Sequence, residues 1–176
     1  MSAPDITSLI LSRIRDVPDY PKPGVMFKDI TPLLADPIAF TAVVDELADG
    51  DARHVDKVVG IEARGFILAA PVAYHCDAGF IPVRKIGKLP SETLSTSYDL
   101  EYGSATIEVH RDAFAPGERV LVVDDVLATG GTAHATVELI KSAGAEVVGV
   151  SVLMELAFLK GRDRLADIPV RSLVIV

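Results

Sequence analysis

Cysteine, long apolar runs and basic residues are all scarce in this chain, and each scarcity removes a class of protein. A single cysteine, Cys76, excludes an internal disulfide and any zinc site built on several thiolates. It stands in Ala70-Pro71-Val72-Ala73-Tyr74-His75-Cys76, so it reads as a packed thiol of a reducing compartment rather than a nucleophile. No stretch approaches the about 18 apolar residues of a membrane span. The start offers only Leu9-Ile10-Leu11 after Asp5, without the basic residues and apolar core of an export signal. A cytoplasmic protein with no membrane partner is expected. Basic side chains number 17 against 25 acidic, a net charge of −8. Nucleic-acid binding is dominated by Lys and Arg neutralising phosphates, so nucleic acid is not an expected partner. A small phosphate pocket needs only a few cations gathered in one place.

What is abundant is apolar content. At 176 residues, 49% of them apolar, the chain can fill the core of one globular domain, taken here as 1–176, and disorder is not expected. Asp36-Pro37 reads as an N-cap with proline at the first helical position; Ile38, Val44 and Leu47 form the apolar stripe of that helix, and Gly50 ends it. Lys57-Val58-Val59-Gly60-Ile61 is a β-branched run of the kind buried on both faces of a sheet. A helix over 65–74 and a strand over 80–83 follow. From Arg119 the alternation resumes: strand 119–124, helix 132–143, strand 146–153, a short helix near 157–165 and a last strand 170–175. Strands alternating with helices predict an α/β fold, a doubly wound and mostly parallel sheet flanked by helices.

Two stretches break the rhythm. Residues 18–34 contain four prolines yet keep large apolar groups, which predicts an ordered irregular segment. Residues 86–103 hold Gly87, Pro90 and five Ser/Thr between 91 and 97, too polar for core and too long for a tight turn. They read as a long functional loop.

The chemistry concentrates in Val120-Leu121-Val122-Val123-Asp124-Asp125-Val126-Leu127-Ala128-Thr129-Gly130-Gly131-Thr132. A buried strand runs into two carboxylates, then a turn of small residues, then a helix. A glycine turn entering a helix directs backbone N–H groups at the end of the strand, where open α/β sheets bind ligands. Amides of 128–132 with the hydroxyls of Thr129 and Thr132 would hold a phosphate. Two glycines and a threonine would also suit an ordinary strand-to-helix turn, but that leaves Asp124 and Asp125 unexplained. Carboxylates beside a phosphate repel it unless they bind something else, and sugar hydroxyls or a magnesium ion are suitable partners. A sugar phosphate satisfies both halves. Neither a Walker A loop nor a Gly-x-Gly-x-x-Gly fingerprint is present: Gly60-Ile61-Glu62-Ala63-Arg64-Gly65 is followed by Phe66 instead of Lys.

Val120 to Thr132 resembles the phosphoribosyl pyrophosphate signature of the type I phosphoribosyltransferases. Three further segments resemble the adenine phosphoribosyltransferases of that family: Pro21 to Pro32, Glu62-Ala63-Arg64-Gly65-Phe66, and Arg84-Lys85-Ile86-Gly87-Lys88-Leu89-Pro90 leading to Tyr98-Asp99-Leu100-Glu101-Tyr102-Gly103. The 6-oxopurine enzymes resemble the loop but carry an aspartate where this chain has Ala128. That difference argues against hypoxanthine or guanine as substrate.

The resemblance implies the type I fold with a small N-terminal hood and a flexible loop, and a reaction of adenine with phosphoribosyl pyrophosphate to give AMP and pyrophosphate. It implies magnesium as cofactor, held through substrate and water rather than by direct protein ligands, and a homodimer. It places Ala128, Thr129, Gly130, Gly131 and Thr132 at the 5′-phosphate, Asp124 and Asp125 at the ribose, and Arg64, Lys85 and Lys88, with Arg84 beside them, at the pyrophosphate. Phe27 would stack on the base, Leu156 would cover its other face, and backbone groups of Met26 and Lys28 would read its edge. Glu101 would be the general acid/base and Tyr102 would shape the closed loop; Arg64 and Lys88 would take part in catalysis. A cis peptide at Glu62-Ala63 is also implied. Bland readings stand beside these: Phe27 as core, Arg84-Lys85-Lys88 as a solvated charge run, Glu101 as a solvated loop residue. The four histidines have no metal-ligand spacing, and His75 reads as a core or interface histidine. A ligand-sensing regulator that contacts nucleic acid is the reading from a different class, and an enzyme acting on xanthine is the nearer rival.

Overall fold

The computed structural model describes residues 5–49, 54–100 and 103–176. Its centre is a seven-stranded sheet whose strands are β3 (Lys57–Ile61), β4 (Gly79–Lys85), β5 (Thr93–Asp99), β6 (Ser104–His110), β7 (Arg119–Leu127), β8 (Glu146–Glu155) and β9 (Val170–Ile175), in the order β5-β6-β4-β3-β7-β8-β9. The run β4-β3-β7-β8-β9 is parallel, while β6 pairs antiparallel with both β4 and β5. Strands β7 and β8 are buried almost throughout, because helices cover both faces.

One face carries α1 (Ile6–Arg13), α3 (Pro37–Leu47) and α4 (Gly65–His75), with α2 (Thr31–Ala35) beside α1 and α3. Ile10, Leu33, Val43, Leu47, Leu68 and Val72 close that side against Val58, Leu121, Val123 and Leu153. The other face carries α5 (Gly131–Ser142), which brings Ala135, Val137, Leu139 and Ile140 against Val59, Val120, Val122 and Val150. A small antiparallel ribbon of β1 (Arg15–Val17) and β2 (Phe27–Asp29) forms the expected hood. None of the helices is long and apolar enough to cross a membrane, among the described residues.

The doubly wound topology locates the site. The chain leaves β3 through α4 to reach β4 on one side, and leaves β7 through α5 to reach β8 on the other. Adjacent loops therefore diverge between the carboxyl ends of β3 and β7, which leaves a crevice. The segments 62–65 and 124–132 both open onto it.

Several sequence expectations need correction. Residues 86–103 are not an irregular loop: β5 pairs with β6 along seven residues, from Thr93↔His110 to Asp99↔Ser104. The Ser/Thr content hid an alternation in which Leu94, Thr96 and Tyr98 are half-buried while Ser95, Ser97 and Asp99 are exposed, a pattern suited to a half-covered strand. Strand β7 does not stop at Asp124 but continues to Leu127, because β8 offers partners for Asp124, Val126 and Leu127. The expected helix near 157–165 is two 3-10 turns, Ala157–Leu159 and Gly161–Leu165, separated by Lys160 at φ +53. Asp36 caps α3 as expected, accepting from the amides of Ile38 and Ala39. Ile38, however, is 74% exposed, and Ala39 and Val43 take its place in the core. Gly50 lies outside the described residues, and α3 already ends at Leu47. His75 is an exposed residue at the end of α4, with Nδ1 3.3 Å from Asp45 Oδ1, not a core histidine. Cys76 is half-buried against the core, and burial pushes its thiol pKa up.

Candidate functional site

The turn after β7 fits a small anion. Gly130 sits at φ +79, a left-handed conformation costly for other residues, and it swings the chain so that α5 begins at Gly131. Amides of the first helical turn have no partner within the helix. With Ala128 and Thr129 they line a cavity of about 90 Å³ whose floor includes Asp124, Leu127 and Val152. That size accommodates a phosphate group. Thr129 is exposed at its rim. Thr132 Oγ1 lies 2.9 Å from the Tyr98 hydroxyl, so β5 leans over the start of α5.

Asp124, which lines this cavity, and its neighbour Asp125 differ in environment. Asp125 is 6% exposed; its Oδ2 is 2.8 Å from Arg64 Nε yet has no hydrogen bond, because the N–H is not aimed at it. Asp124 Oδ1 accepts from the Asp125 amide at 2.9 Å. Burial, and then the neighbouring Asp125 charge, raises the Asp124 pKa well above the ordinary aspartate value. A pair of crowded carboxyls with an unfilled acceptor suits donors that arrive with a ligand.

Arg64 enters from α4, of which it is the N-cap. Its guanidinium carbon lies 5.0 Å from the centre of the Phe27 ring, within cation–π range, so one arginine touches both the ribbon and Asp125. Phe27 is half-buried and meets Tyr20 edge-on at 5.1 Å between centroids. It is therefore not a core residue. Met26 is exposed, and the Lys28 ammonium pairs with Asp16 at 2.7 Å. Leu156 follows β8, half-buried, with its amide donating to the Leu127 carbonyl at 2.9 Å. Helix α4 can approach β7 only because Gly65 has no side chain: a Cβ there would stand 2.7 Å from Asp124 Oδ1.

The cations at the end of β4 are not equivalent. Arg84 Nε donates to Glu62 Oε2 at 3.2 Å and its Nη1 to the Lys88 carbonyl at 3.4 Å, so this guanidinium organises the segment. Burial pushes the Glu62 pKa up, but the Lys85 amide and the Arg84 guanidinium outweigh it and hold the carboxyl below its ordinary value. Lys85 and Lys88 are exposed. Glu108, buried on β6, accepts from the amides of Lys88 and Leu89 at 3.1 and 3.0 Å and shapes that turn. The Glu62-Ala63 peptide is cis, as the resemblance implies. Glu101 and Tyr102 lie outside the described residues. Three residues at the site have no role assigned from the sequence: Glu62 and Tyr98, which stand within the resembling segments, and Gly161, packed on the phosphate turn. The alternation along β5 is the further signal for Tyr98, and Gly161 left none.

Comparisons with known proteins agree with this geometry. The family model described as "Phosphoribosyl transferase domain" matches residues 28–173. An adenine phosphoribosyltransferase of Acidothermus cellulolyticus is 66% identical over 178 residues, 100% of either chain. One from Streptomyces galbus is 69% identical over 165 residues, 93% of this chain and 91% of its own. Among solved structures, the adenine phosphoribosyltransferase of Rhodothermus marinus matches with a TM-score of 0.92 at 52% identity, covering 97% of this chain and 98% of that one. The Saccharomyces cerevisiae enzyme, complexed with adenine and an imino-altritol bisphosphate, matches with a TM-score of 0.90 at 36% identity over 96% of this chain and 98% of its own.

Proposed function

This chain belongs to the phosphoribosyl transferase family, as an adenine phosphoribosyltransferase of purine salvage, and we propose that the crevice between β3 and β7 is where adenine meets phosphoribosyl pyrophosphate to give AMP and pyrophosphate. In that reaction the bond from C1′ to the pyrophosphate oxygen breaks, the bond from C1′ to the adenine nitrogen forms, and that nitrogen loses its proton. The observation that carries the reading is the phosphate-sized cavity of the turn 128–132, lined also by Asp124, whose carboxylate accepts from the Asp125 amide, at the switch point.

The amides of 128–132 and the hydroxyls of Thr129 and Thr132 hold the 5′-phosphate, and Asp124 and Asp125 accept the ribose hydroxyls. These contacts fix C1′ in the crevice. Arg64, Lys85 and Lys88 face the diphosphate and stabilise charge as it collects on the leaving group, with Arg84 keeping that segment in shape. For diphosphate to reach Arg64, the guanidinium exchanges its contact with Asp125 for the anion. Phe27 and Leu156 sandwich the base, and backbone groups of Met26 and Lys28 read its edge, which discriminates amino from oxo substituents. Glu101 manages the base proton, and Tyr102 with the 86–103 segment excludes water from the reactive sugar.

Magnesium fits this donor set, since Asp125 Oδ2 is buried without a hydrogen bond and loses its Arg64 ion-pair contact when that guanidinium turns to the diphosphate; Asp124 and Asp125 would lie beside an ion shared mainly with substrate oxygens and water. When bound, it would neutralise charge on the diphosphate. A homodimer is supported by the outer face of α4, where Ile67 and Tyr74 are 44% and 88% exposed, and by Phe80 of β4, 36% exposed and edge-on to Phe66 of α4. Incubation with magnesium, phosphoribosyl pyrophosphate and, in turn, labelled adenine, hypoxanthine, guanine and xanthine tests the reading. AMP from adenine alone is expected; turnover of an oxopurine in preference to adenine, or of no base, overturns it.

A further inference from the structure

The segment after β8 makes a contact that no role assigned so far uses. Gly161 is buried, and a Cβ on it would collide with the Ala128 carbonyl and stand 2.8 Å from the Gly130 amide nitrogen. The reverse holds too, since a Cβ on Gly130 would collide with the Gly161 carbonyl. Two backbones are thus pressed together, and one of them is the phosphate turn.

The next residue, Arg162, is anchored to the sheet. The Arg162 guanidinium forms a two-pronged pair with Glu155, with Nε 3.0 Å from Oε1 and Nη2 on Oε2. Its Nη1 donates to the Val170 carbonyl at 2.7 Å and its Nη2 to Ser172 Oγ at 3.1 Å. Ser172 in turn donates to Glu155 Oε2 at 2.6 Å. Glu155 is 6% exposed and ends β8, while Val170 and Ser172 belong to β9. The anchor is therefore the edge of the sheet, and the fork geometry fixes the direction in which Gly161 points. A polar network this complete, beside a turn that must present amides to an anion, is more than the two short 3-10 turns need for packing.

We propose that Arg162 is a positioning residue for the phosphate turn: anchored on Glu155, Val170 and Ser172, it presses the Gly161 backbone against Ala128 and Gly130 and so presets the amides that receive the 5′-phosphate. The inference rests on assigning 128–132 to that phosphate. Two arms test it and separate its failure from that of the assignment. In the first, Arg162→Lys keeps a charge but loses the fork, and Gly161→Ala pushes on the turn without touching the ion pair. Each raises KM for phosphoribosyl pyrophosphate about 10-fold or more, with KM for adenine and kcat moved less than about 3-fold. Equal loss for both substrates, or an unchanged KM for phosphoribosyl pyrophosphate, overturns the proposal. The second arm uses the unaltered protein with ribose 5-phosphate and reads amide hydrogen exchange. Slowing at 128–132 and at 160–165 together is expected. Slowing at 128–132 alone overturns the brace and leaves the assignment standing, while slowing at neither overturns both.

Discussion

Replacing Gly65 by alanine separates the geometry of the crevice from the stability of the fold. Gly65 opens α4 just after Arg64, and the added Cβ would lie 2.7 Å from Asp124 Oδ1, 3.2 Å from the Val123 carbonyl and 3.4 Å from the Asp124 Cα. Two of these atoms are backbone and cannot turn aside. Relief therefore requires the start of α4 to move off β7 by about 0.5–1 Å, and overpacking of this kind costs about 1–3 kcal/mol. Against that, alanine is favoured over glycine in a helix by about 1 kcal/mol. The net loss is about 0–2 kcal/mol, which in a chain of 176 residues shifts the melting temperature by no more than about 8 °C. Catalysis is less forgiving. The same movement draws Arg64 from Asp125, now 2.8 Å apart, and a misplacement near 1 Å costs up to about 100-fold in rate. Melting curves and steady-state AMP formation on Gly65→Ala should show a small thermal shift and a fall of about 10- to 100-fold in kcat/KM. Unaltered turnover would mean that the α4–β7 spacing does not set the site.

Phe27→Ala removes the stacking face, worth about 1–3 kcal/mol per base; KM for adenine should rise about 5- to 150-fold with KM for phosphoribosyl pyrophosphate nearly constant, and equal changes in both would assign Phe27 to folding. Asp124 holds its proton more tightly folded than unfolded, so the protein loses stability as pH rises from the ordinary aspartate value through the raised one. Asp124→Asn should therefore raise the urea midpoint at neutral pH while weakening phosphoribosyl pyrophosphate binding; a lowered midpoint there refutes the crowding argument. Glu155 is the opposite case: hydrogen bonds from Arg162, opposed by burial and aided by Ser172, lower its pKa. Its contribution is present above the ordinary glutamate value and lost as pH falls through the lowered one. Urea midpoints of wild type and Glu155→Gln should converge on acidification, and a gap independent of pH would show that charge is not what Glu155 supplies.

The parallel core was legible because Val58-Val59 and Val120 to Val123 are apolar, mostly β-branched runs, followed by Gly60 and Asp124, a pattern that buried strands share. The phosphate turn was legible because its glycines must meet a backbone requirement, visible at Gly130 as a positive φ. The β5 strand was not, since its serines and threonines look like loop residues until β6 is placed beside them. Nor could Gly161 be read, because its requirement arises from Ala128 and Gly130, which are more than thirty positions earlier. The differing duties of Arg84 and its lysine neighbours were equally hidden: three cations within five residues carry no sign of which one Glu62 will claim.

The hydroxyl pair of Tyr98 and Thr132, 2.9 Å apart, can have either oxygen as donor. A hydroxyl has one proton to give. If Thr132 spends its proton on an anion in the turn, Tyr98 is left as the only possible donor between them, and a contact with two orientations acquires one. Hydrogen bonds in such a chain polarise and strengthen each other. An anion seated at the start of α5 would then be felt on β5 without any backbone displacement, as a change in the grip between hairpin and helix.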